Sequence, residues 1–135
     1  VRDEYITFPA LPKNKEKVLT LLAEKDTAVT YWERIVELSE QISIPDALLD
    51  ETMKVTCRYG KQMYRIYRAL FHLAAIRQGL TEEDKTVYLA EYDDAWKCLE
   101  QLADEKPAYC PSLYSKTLIR RTWSEVADKA VNGMR

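Results

Sequence analysis

Pro45–Gly79 reads PDALLDETMKVTCRYGKQMYRIYRALFHLAAIRQG, and this stretch decides the fold. Between Pro45 and Gly79, Gly60 is the one glycine, and no further proline occurs. Its second half is apolar around most of a helical wheel, which is typical of a helix that neighbours cover on several sides. Pro45 suits the first turn of a helix, and Gly79 suits the position just after its end. The segment therefore predicts the long central helix of an all-α bundle.

The residues before this segment, Asn14 to Ile42, predict two helices that divide near Asp26. The second of them carries apolar residues at helical spacing that are expected to face the core: Val29, Trp32, Ile35, Val36, Leu38 and Ile42. Gly60 lies inside the long helix, where a glycine costs about 1 kcal/mol relative to alanine. We expect it to allow another helix to approach closely.

Two more helices are predicted after the long one. Thr81 is the expected N-cap of a helix that runs to Glu105, because three acidic residues follow it where the helix dipole favours negative charge. The last helix is expected over roughly Leu113–Val131. The prediction is thus a single bundle of about five helices.

Residues 1–12, VRDEYITFPALP, predict an extended linker or tail, because Pro9 and Pro12 interrupt any helix there. The chain opens on Val1 rather than on methionine, as is expected of a processed protein or of a piece of a longer one. On this interpretation, residues 13–135 form the one helical domain.

Composition and charge exclude several function classes. A formal net charge of −2 argues against nonspecific binding to nucleic acid, which needs a concentrated basic field. No apolar run approaches the roughly 18 residues that cross a bilayer, so no membrane span is expected. With 3 glycines and 1 histidine, the chain offers neither a glycine-rich phosphate loop nor a usual zinc set. We expect no cofactor, no metal and no catalytic residue.

The three cysteines leave two interpretations open. Cys57, Cys98 and Cys110 are buried free thiols in one, used as small apolar residues. In the other, Cys98 and Cys110 form a disulfide across the bend at Pro107, which would imply an oxidising compartment.

A row of basic residues on the long helix is the strongest candidate binding site. Arg58, Arg65, Arg68 and His72 share one helix face with Lys61, because their spacings are three and four residues. Guanidinium groups bind carboxylate or phosphate, so the row could hold an anion. The favoured alternative is an ion-paired face whose partners are Glu91 and Asp94 on the next helix.

His72 is the one histidine, and histidine phosphotransfer domains are helical bundles of similar size. In those domains an exposed histidine is followed closely by a lysine and a glycine, whereas here Leu73 and Ala74 follow it. We therefore favour a structural histidine that is held by a hydrogen bond.

Tyr109 and Tyr114 lie in or beside a proline-stiffened loop, and we expect these two aromatics to meet a partner or a neighbouring domain.

The run Tyr88–Tyr114, YLAEYDDAWKCLEQLADEKPAYCPSLY, resembles a C-terminal helical region of glycoside hydrolases from gut-type bacteria. The matching positions are Tyr92, Asp93, Ala95, Trp96, Pro107, Cys110, Leu113 and Tyr114. The resemblance covers about a fifth of the chain, carries over no catalytic residue and implies an accessory piece that follows a catalytic domain. The same helix is also similar to the second helix of a tetratricopeptide hairpin, but no second copy occurs at a fixed period.

These observations lead to one expected function and two alternatives. The expected function is a non-catalytic accessory domain of a larger, exported carbohydrate-active protein, which docks on a neighbouring domain or on a protein partner. The first alternative is a free-standing protein-interaction or oligomerisation module with an exposed apolar patch. The second is a small anion-binding or phosphotransfer domain centred on Arg65, Arg68 and His72. The sequence leaves the oligomeric state open.

Overall fold

The structure is a computed structural model of the 135-residue chain, and it describes residues 6–106 and 124–135. Within these two ranges the regular structure is entirely helical, which confirms the all-α prediction. The helices are α1 (Lys15–Gln41), α2 (Ala47–Arg77), α3 (Lys85–Glu105) and α4 (Glu125–Asn132). The described ranges hold four helices rather than about five, because the segment predicted as two helices forms one.

Helix α1 runs unbroken through the predicted division at Asp26. Asn14 is its N-cap, since the side-chain oxygen accepts a hydrogen bond from the amide of Lys17 at 3.1 Å. The segment contains neither glycine nor proline. Asp26 and Thr27 are weak helix formers, and their small propensity cost does not stop a helix that packs along its length.

Helix α2 is the central helix, as predicted. Asp46 caps its N-terminus by accepting from the amides of Leu48 and Leu49 at 3.0 and 3.1 Å. Gly79 follows its C-terminus with a φ of 72°, a backbone conformation that favours glycine. Its second half is buried at seven positions: Ile66, Ala69, Leu70, His72, Leu73, Ala74 and Ala75.

Helices α1 and α3 pack against α2, and α4 adds a smaller contact with it. The main core lies around α2, α3 and α4. Its larger buried members are Val55, Ile66, Leu70, Leu73, Tyr92, Trp96, Leu99, Leu102 and Val131. A second, smaller cluster of Val18, Leu22 and Ala75 joins α1 to α2. Burial of α2 by its neighbours explains why its second half is apolar on several sides.

Gly60 makes the close approach that the sequence predicts. A Cβ atom placed on this glycine would lie 2.8 Å from Cε3 of Trp32 and closer still to two other atoms of the same ring. The indole of α1 therefore rests directly on the backbone of α2. Trp32 is half-buried, and its ring also contacts that of Tyr64 in a tilted arrangement with the centroids 5.4 Å apart and an interplanar angle of 30°.

The described part of the opening segment is extended, as predicted, but it packs on the helices. Ile6 is 2 % exposed and belongs to the main core, and Phe8 packs against that core. The guanidinium of Arg77 lies over the ring of Phe8, 5.2 Å from its centroid. The expectation of a linker or tail thus needs correction at these residues, because their apolar side chains are held by the bundle.

Candidate functional site

Four members of the basic row of α2, Arg58, Arg65, Arg68 and His72, pair with acidic residues, and two of the four contact α3. Both nitrogens of the Arg68 fork donate to the carboxylate of Glu91, at 2.8 and 2.7 Å. Arg65 contacts Asp94 at 2.8 Å. The hydrogen bonds with Glu91 raise the pKa of Arg68, although burial acts in the opposite direction. The predicted partners, Glu91 and Asp94, are therefore the ones that the structure shows.

Two further members of the row, Arg58 and His72, contact α1. Arg58 donates to Glu40 at 3.0 Å, and both side chains are more than a third exposed. His72 contacts Asp26, also on α1. The row thus divides between the two neighbours of α2, so its positive charges do not converge on one ligand position.

His72 is a buried residue that lies between two carboxylates. Its Nδ1 is 2.7 Å from Oε1 of Glu83, and its Nε2 is 2.9 Å from Oδ1 of Asp26. The residue is 3 % exposed, and its ring stacks on Tyr88 with a centroid separation of 4.2 Å and an interplanar angle of 6°. Both ring nitrogens are therefore engaged by carboxylate oxygens from two different segments of the chain. The arrangement joins α1, α2 and the segment before α3.

Glu83 can reach His72 because α3 begins later than the sequence predicts. The N-cap is Asp84, whose side chain accepts from the amide of Thr86 at 3.0 Å, and the helix starts at Lys85 rather than after Thr81. Glu83 therefore precedes the helix instead of lying in its first turn. The prediction that Glu83 lies in the first turn of the helix, where the dipole favours its charge, is therefore wrong. Its side chain contacts His72 and Tyr88 instead.

The contacts of Glu83 change the titration of two groups. Burial alone would raise the pKa of Glu83, but the hydrogen bonds from Tyr88 and His72 outweigh it and lower that pKa below the ordinary value. Burial and the hydrogen bond to Glu83 together raise the pKa of the Tyr88 hydroxyl. The Tyr88 hydroxyl therefore keeps its proton and donates a hydrogen bond to Oε2 of Glu83 at 2.5 Å.

An open cleft of about 590 Å³ lies beside His72, between α1 and the segment that follows α2. Its lining includes the apolar side chains of Leu19, Leu22 and Leu80, together with Lys15 and Glu82. The carboxylates of Asp26 and Glu83 also line it, but both are bonded to His72. In residues 6–106 and 124–135, no group of three histidine, cysteine, aspartate or glutamate side chains could hold a metal ion.

The imidazole offers little to phosphotransfer chemistry in this arrangement. A phosphoryl acceptor needs a ring nitrogen that an incoming phosphate can reach, and both nitrogens of His72 are engaged by carboxylates. Asp26 and Glu83 would also repel an approaching phosphate. The geometry matches the structural histidine that the sequence favours, with hydrogen bonds on two nitrogens rather than one.

Helix α1 also presents an exposed apolar surface, which we call the α1 outer face and which consists of Tyr31, Ile35, Leu38 and Ile42. Their exposed fractions are 66 %, 38 %, 40 % and 49 %. The spacings of four, three and four residues place them on one side of the helix. This corrects the expectation that Ile35, Leu38 and Ile42 are buried.

Helix α1 carries two apolar stripes, and α2 covers only one of them. The covered stripe includes Val18, Leu22 and Val29, which are fully or almost fully buried. The residues of the α1 outer face lie between about a quarter and a half of a turn away from these residues around the helix axis. Sequence reasoning missed this surface because it combined both stripes into one buried face. The available signal was the width of the apolar pattern after Val29, which exceeds what one neighbouring helix covers.

The remaining sequence predictions fall partly outside the described residues. Tyr109 and Tyr114, expected to meet a partner, both lie there. Cys57 and Cys98 are half-buried and carry free thiols in this structure, whereas Cys110 lies outside the described residues. The other expected contact residues are Arg58, Arg65, Arg68 and His72, which lie within α2 and form the ion pairs given above.

Comparison of the chain with protein-family models, with curated proteins and with solved structures gave no match. Among the described residues, no helix has the length and apolar character needed to cross a membrane.

Proposed function

We propose that this chain is a non-catalytic helical accessory domain of a larger, exported carbohydrate-active protein, and that it binds a protein partner through the α1 outer face. The observation that carries the proposal is that this face is apolar and exposed on a helix whose other apolar stripe already packs on α2. The class of the parent protein is supported by the resemblance of Tyr88–Tyr114 alone.

The charged residues of the core helices support a structural rather than a catalytic role. Arg65, Arg68 and His72 each pair with an acid on a neighbouring helix or on the segment before α3. Such pairs fix the relative positions of the helices and leave no converging charge for a substrate. The bundle therefore serves as a rigid support for α1.

The geometry of the α1 outer face suits one kind of occupant, an amphipathic helix with apolar residues at the same spacing. Residues three and four apart form ridges that fit between the side chains of another helix. Tyr31, at one end of the face, adds an aromatic side chain of the kind enriched at protein interfaces. A helix could lie along α1 without disturbing its contact with α2.

The expected affinity is modest. Roughly half of each of the four side chains remains to be buried, which contributes about 4 kcal/mol at about 2 kcal/mol for a complete side chain. An equal contribution from the partner gives about 8 kcal/mol before the cost of association, which is at least about 4 kcal/mol. With the smallest of these association costs, the dissociation constant is expected at about 1 mM.

The test is a titration of the ¹⁵N-labelled protein with a synthetic amphipathic helical peptide that carries leucines at positions i, i+4, i+7 and i+11. We expect saturable amide shifts that are confined to the α1 outer face. Leu38→Glu should remove the shifts, whereas Val87→Glu should keep them, because Val87 is similarly exposed but lies on α3. The absence of saturable shifts up to about 5 mM peptide, or equal loss in both variants, would overturn the proposal.

A further inference from the structure

We infer that the cleft beside His72 is a binding site for a small aliphatic amine, whose ammonium group lies at the acidic end of the cleft and whose alkyl chain lies on its leucines. This site is separate from the α1 outer face and goes beyond the proposed function. Three observations carry it: the elongated apolar lining of the cleft, the charge of its walls, and a buried hydroxyl group in one wall that has no partner.

The cleft runs along one side of α1. Lys15, Leu19, Leu22 and Asp26 line it and share one face of the helix. Because each residue adds about 1.5 Å to the length of a helix, Lys15 and Asp26 stand about 17 Å apart along its axis. The segment from Leu80 to Glu83 lines the cleft as well. The cleft is therefore elongated, and its volume of about 590 Å³ falls within the range of small-molecule sites.

The part of the cleft between Lys15 and Asp26 is apolar and partly open to solvent. Leu19 is 47 % exposed, although it lies beside Leu22, which is almost fully buried. Leu80 is half-buried and packs against the cluster that contains Leu22. An alkyl chain that covered Leu19 and Leu80 would remove their exposed apolar surface from water, which favours a ligand with a hydrocarbon part.

The walls of the cleft carry an excess of negative charge. Asp26, Glu82 and Glu83 each contribute a carboxylate, and among the described residues Lys15 contributes the one ammonium group of the lining. His72 lines the cleft too, and even a positively charged imidazole would leave one negative charge in excess. The cleft therefore attracts a cationic ligand and repels an anionic one.

The acidic groups lie at the end of the cleft that is far from Lys15. Asp26 and Glu83 meet at His72, and Glu82 precedes Glu83 in the sequence. Oδ1 of Asp26 contacts His72, whereas its Oδ2 has no hydrogen bond or ion pair within the described residues, and the side chain is 52 % exposed. An ammonium group can therefore bind Oδ2 of Asp26 while the contacts of His72 stay in place.

A buried hydroxyl group lies in the same wall as the acids. Thr81 lines the cleft, and its Oγ1 is shielded from solvent without a hydrogen-bond partner in the described part of the chain. Buried polar groups in proteins are almost always paired, so this oxygen points to a missing donor. An ammonium group has three donors, enough for Asp26 and Thr81 together, and rotation of the Thr81 side chain would turn its hydroxyl toward them.

The test is a titration of the ¹⁵N-labelled full chain with n-octylamine, which is protonated at about pH 7. We expect saturable amide shifts along residues 15–26 and 80–83, with a dissociation constant of about 1–5 mM. Octanoate has a similar chain and the opposite charge, and it should give no saturable shifts there up to about 20 mM. Equal binding of octanoate, or no saturable shifts with octylamine over the same range, would overturn the inference.

Substitution of Leu19 tests the apolar part of the site. Leu19→Ser should weaken octylamine binding about fivefold, because half of this side chain remains to be buried. Leu48→Ser is the matched control, since Leu48 is an exposed leucine outside the cleft, and it should leave the dissociation constant within about 1.5-fold of the wild type. Circular dichroism checks the folding of both variants. Equal weakening by the two would contradict binding at the cleft.

Substitution of Glu82 tests the acidic end. Glu82 makes no hydrogen bond or ion pair within the described residues, so its replacement leaves the contacts of His72 intact. Glu82→Gln should weaken octylamine binding about threefold. Glu33→Gln removes the same charge from an exposed position of α1 outside the lining and should leave the dissociation constant within about 1.5-fold. The same weakening in both would refute a local role of the acid.

Thr81→Val separates the hydroxyl group from the shape of its side chain. Valine has nearly the same shape, so the variant should bind octylamine about threefold more weakly while its stability in urea is retained or increased. An unchanged dissociation constant would contradict the proposed position of the ammonium group. These shifts lie at residues other than Tyr31, Ile35, Leu38 and Ile42, so the amine site and the proposed function can fail separately.

Discussion

Replacing Gly60 by alanine tests the packing of α1 on α2. On helix propensity alone, alanine would stabilise the interior of α2 by about 1 kcal/mol, since glycine is the poorer helix former. The structure predicts the opposite result. The new Cβ atom would lie within 2.8 Å of Cε3 of Trp32 and closer still to two further ring atoms, so either the indole or α1 must move.

The magnitude follows from two opposing terms. Adding a methyl group to a tightly packed contact costs about 1–3 kcal/mol, because side chains leave their rotamers or the helices separate. Subtracting the propensity gain leaves a net destabilisation of about 1 kcal/mol for Gly60→Ala. For a chain of this size, that corresponds to a decrease in Tm of about 4 °C.

The measurement is urea unfolding followed by far-UV circular dichroism, in the wild type and in a Trp32→Leu background. Removing the indole removes the obstacle, so Gly60→Ala should be neutral or stabilising in that background, and the coupling between the two substitutions should exceed about 1 kcal/mol. If Gly60→Ala instead stabilised the protein that retains Trp32 by the full propensity gain of about 1 kcal/mol, the close contact between Trp32 and the backbone of α2 would be refuted.

The remaining predictions concern the ion pairs. Arg68→Ala should destabilise the fold by about 3 kcal/mol in urea unfolding, because it leaves the mostly buried Glu91 without its bidentate partner. Arg135→Ala breaks a bidentate pair with Asp93 in which both side chains are more than 40 % exposed, so it should lower the unfolding free energy by less than about 1 kcal/mol. Equal destabilisation by Arg68→Ala and Arg135→Ala would contradict the role of burial. The pKa of Glu83 is lowered from its ordinary value of 4.5. The ionised side chain therefore contributes fully to the unfolding free energy above that pH, and the contribution is lost as the pH falls through the pKa of the folded state. In Glu83→Gln the unfolding free energy should therefore fall less steeply than in the wild type between about pH 5 and pH 3. Urea unfolding at successive pH values measures this dependence, and the same dependence in both proteins would contradict the prediction.

The sequence by itself determined the long central helix, its glycine stop and the ion-paired partners of Arg65 and Arg68. Each of these depends on local features or on helical spacing, which repeat reliably along a chain. Gly60 also belongs here, since a glycine inside a strongly helical pattern indicates close packing against it. The sequence likewise indicated that His72 is structural, because apolar residues follow it where a phosphotransfer histidine has a lysine.

The tertiary structure alone decided which stripe of α1 is covered and which acids hold His72. Periodicity shows that a residue lies on a given side of its own helix, but not which neighbour, if any, covers that side. Ile35, Leu38 and Ile42 are exposed for this reason, although their spacing resembles that of core residues. Glu83 reaches His72 because α3 starts after Asp84 rather than after Thr81, and contacts between residues distant in sequence depend on how the helices pack.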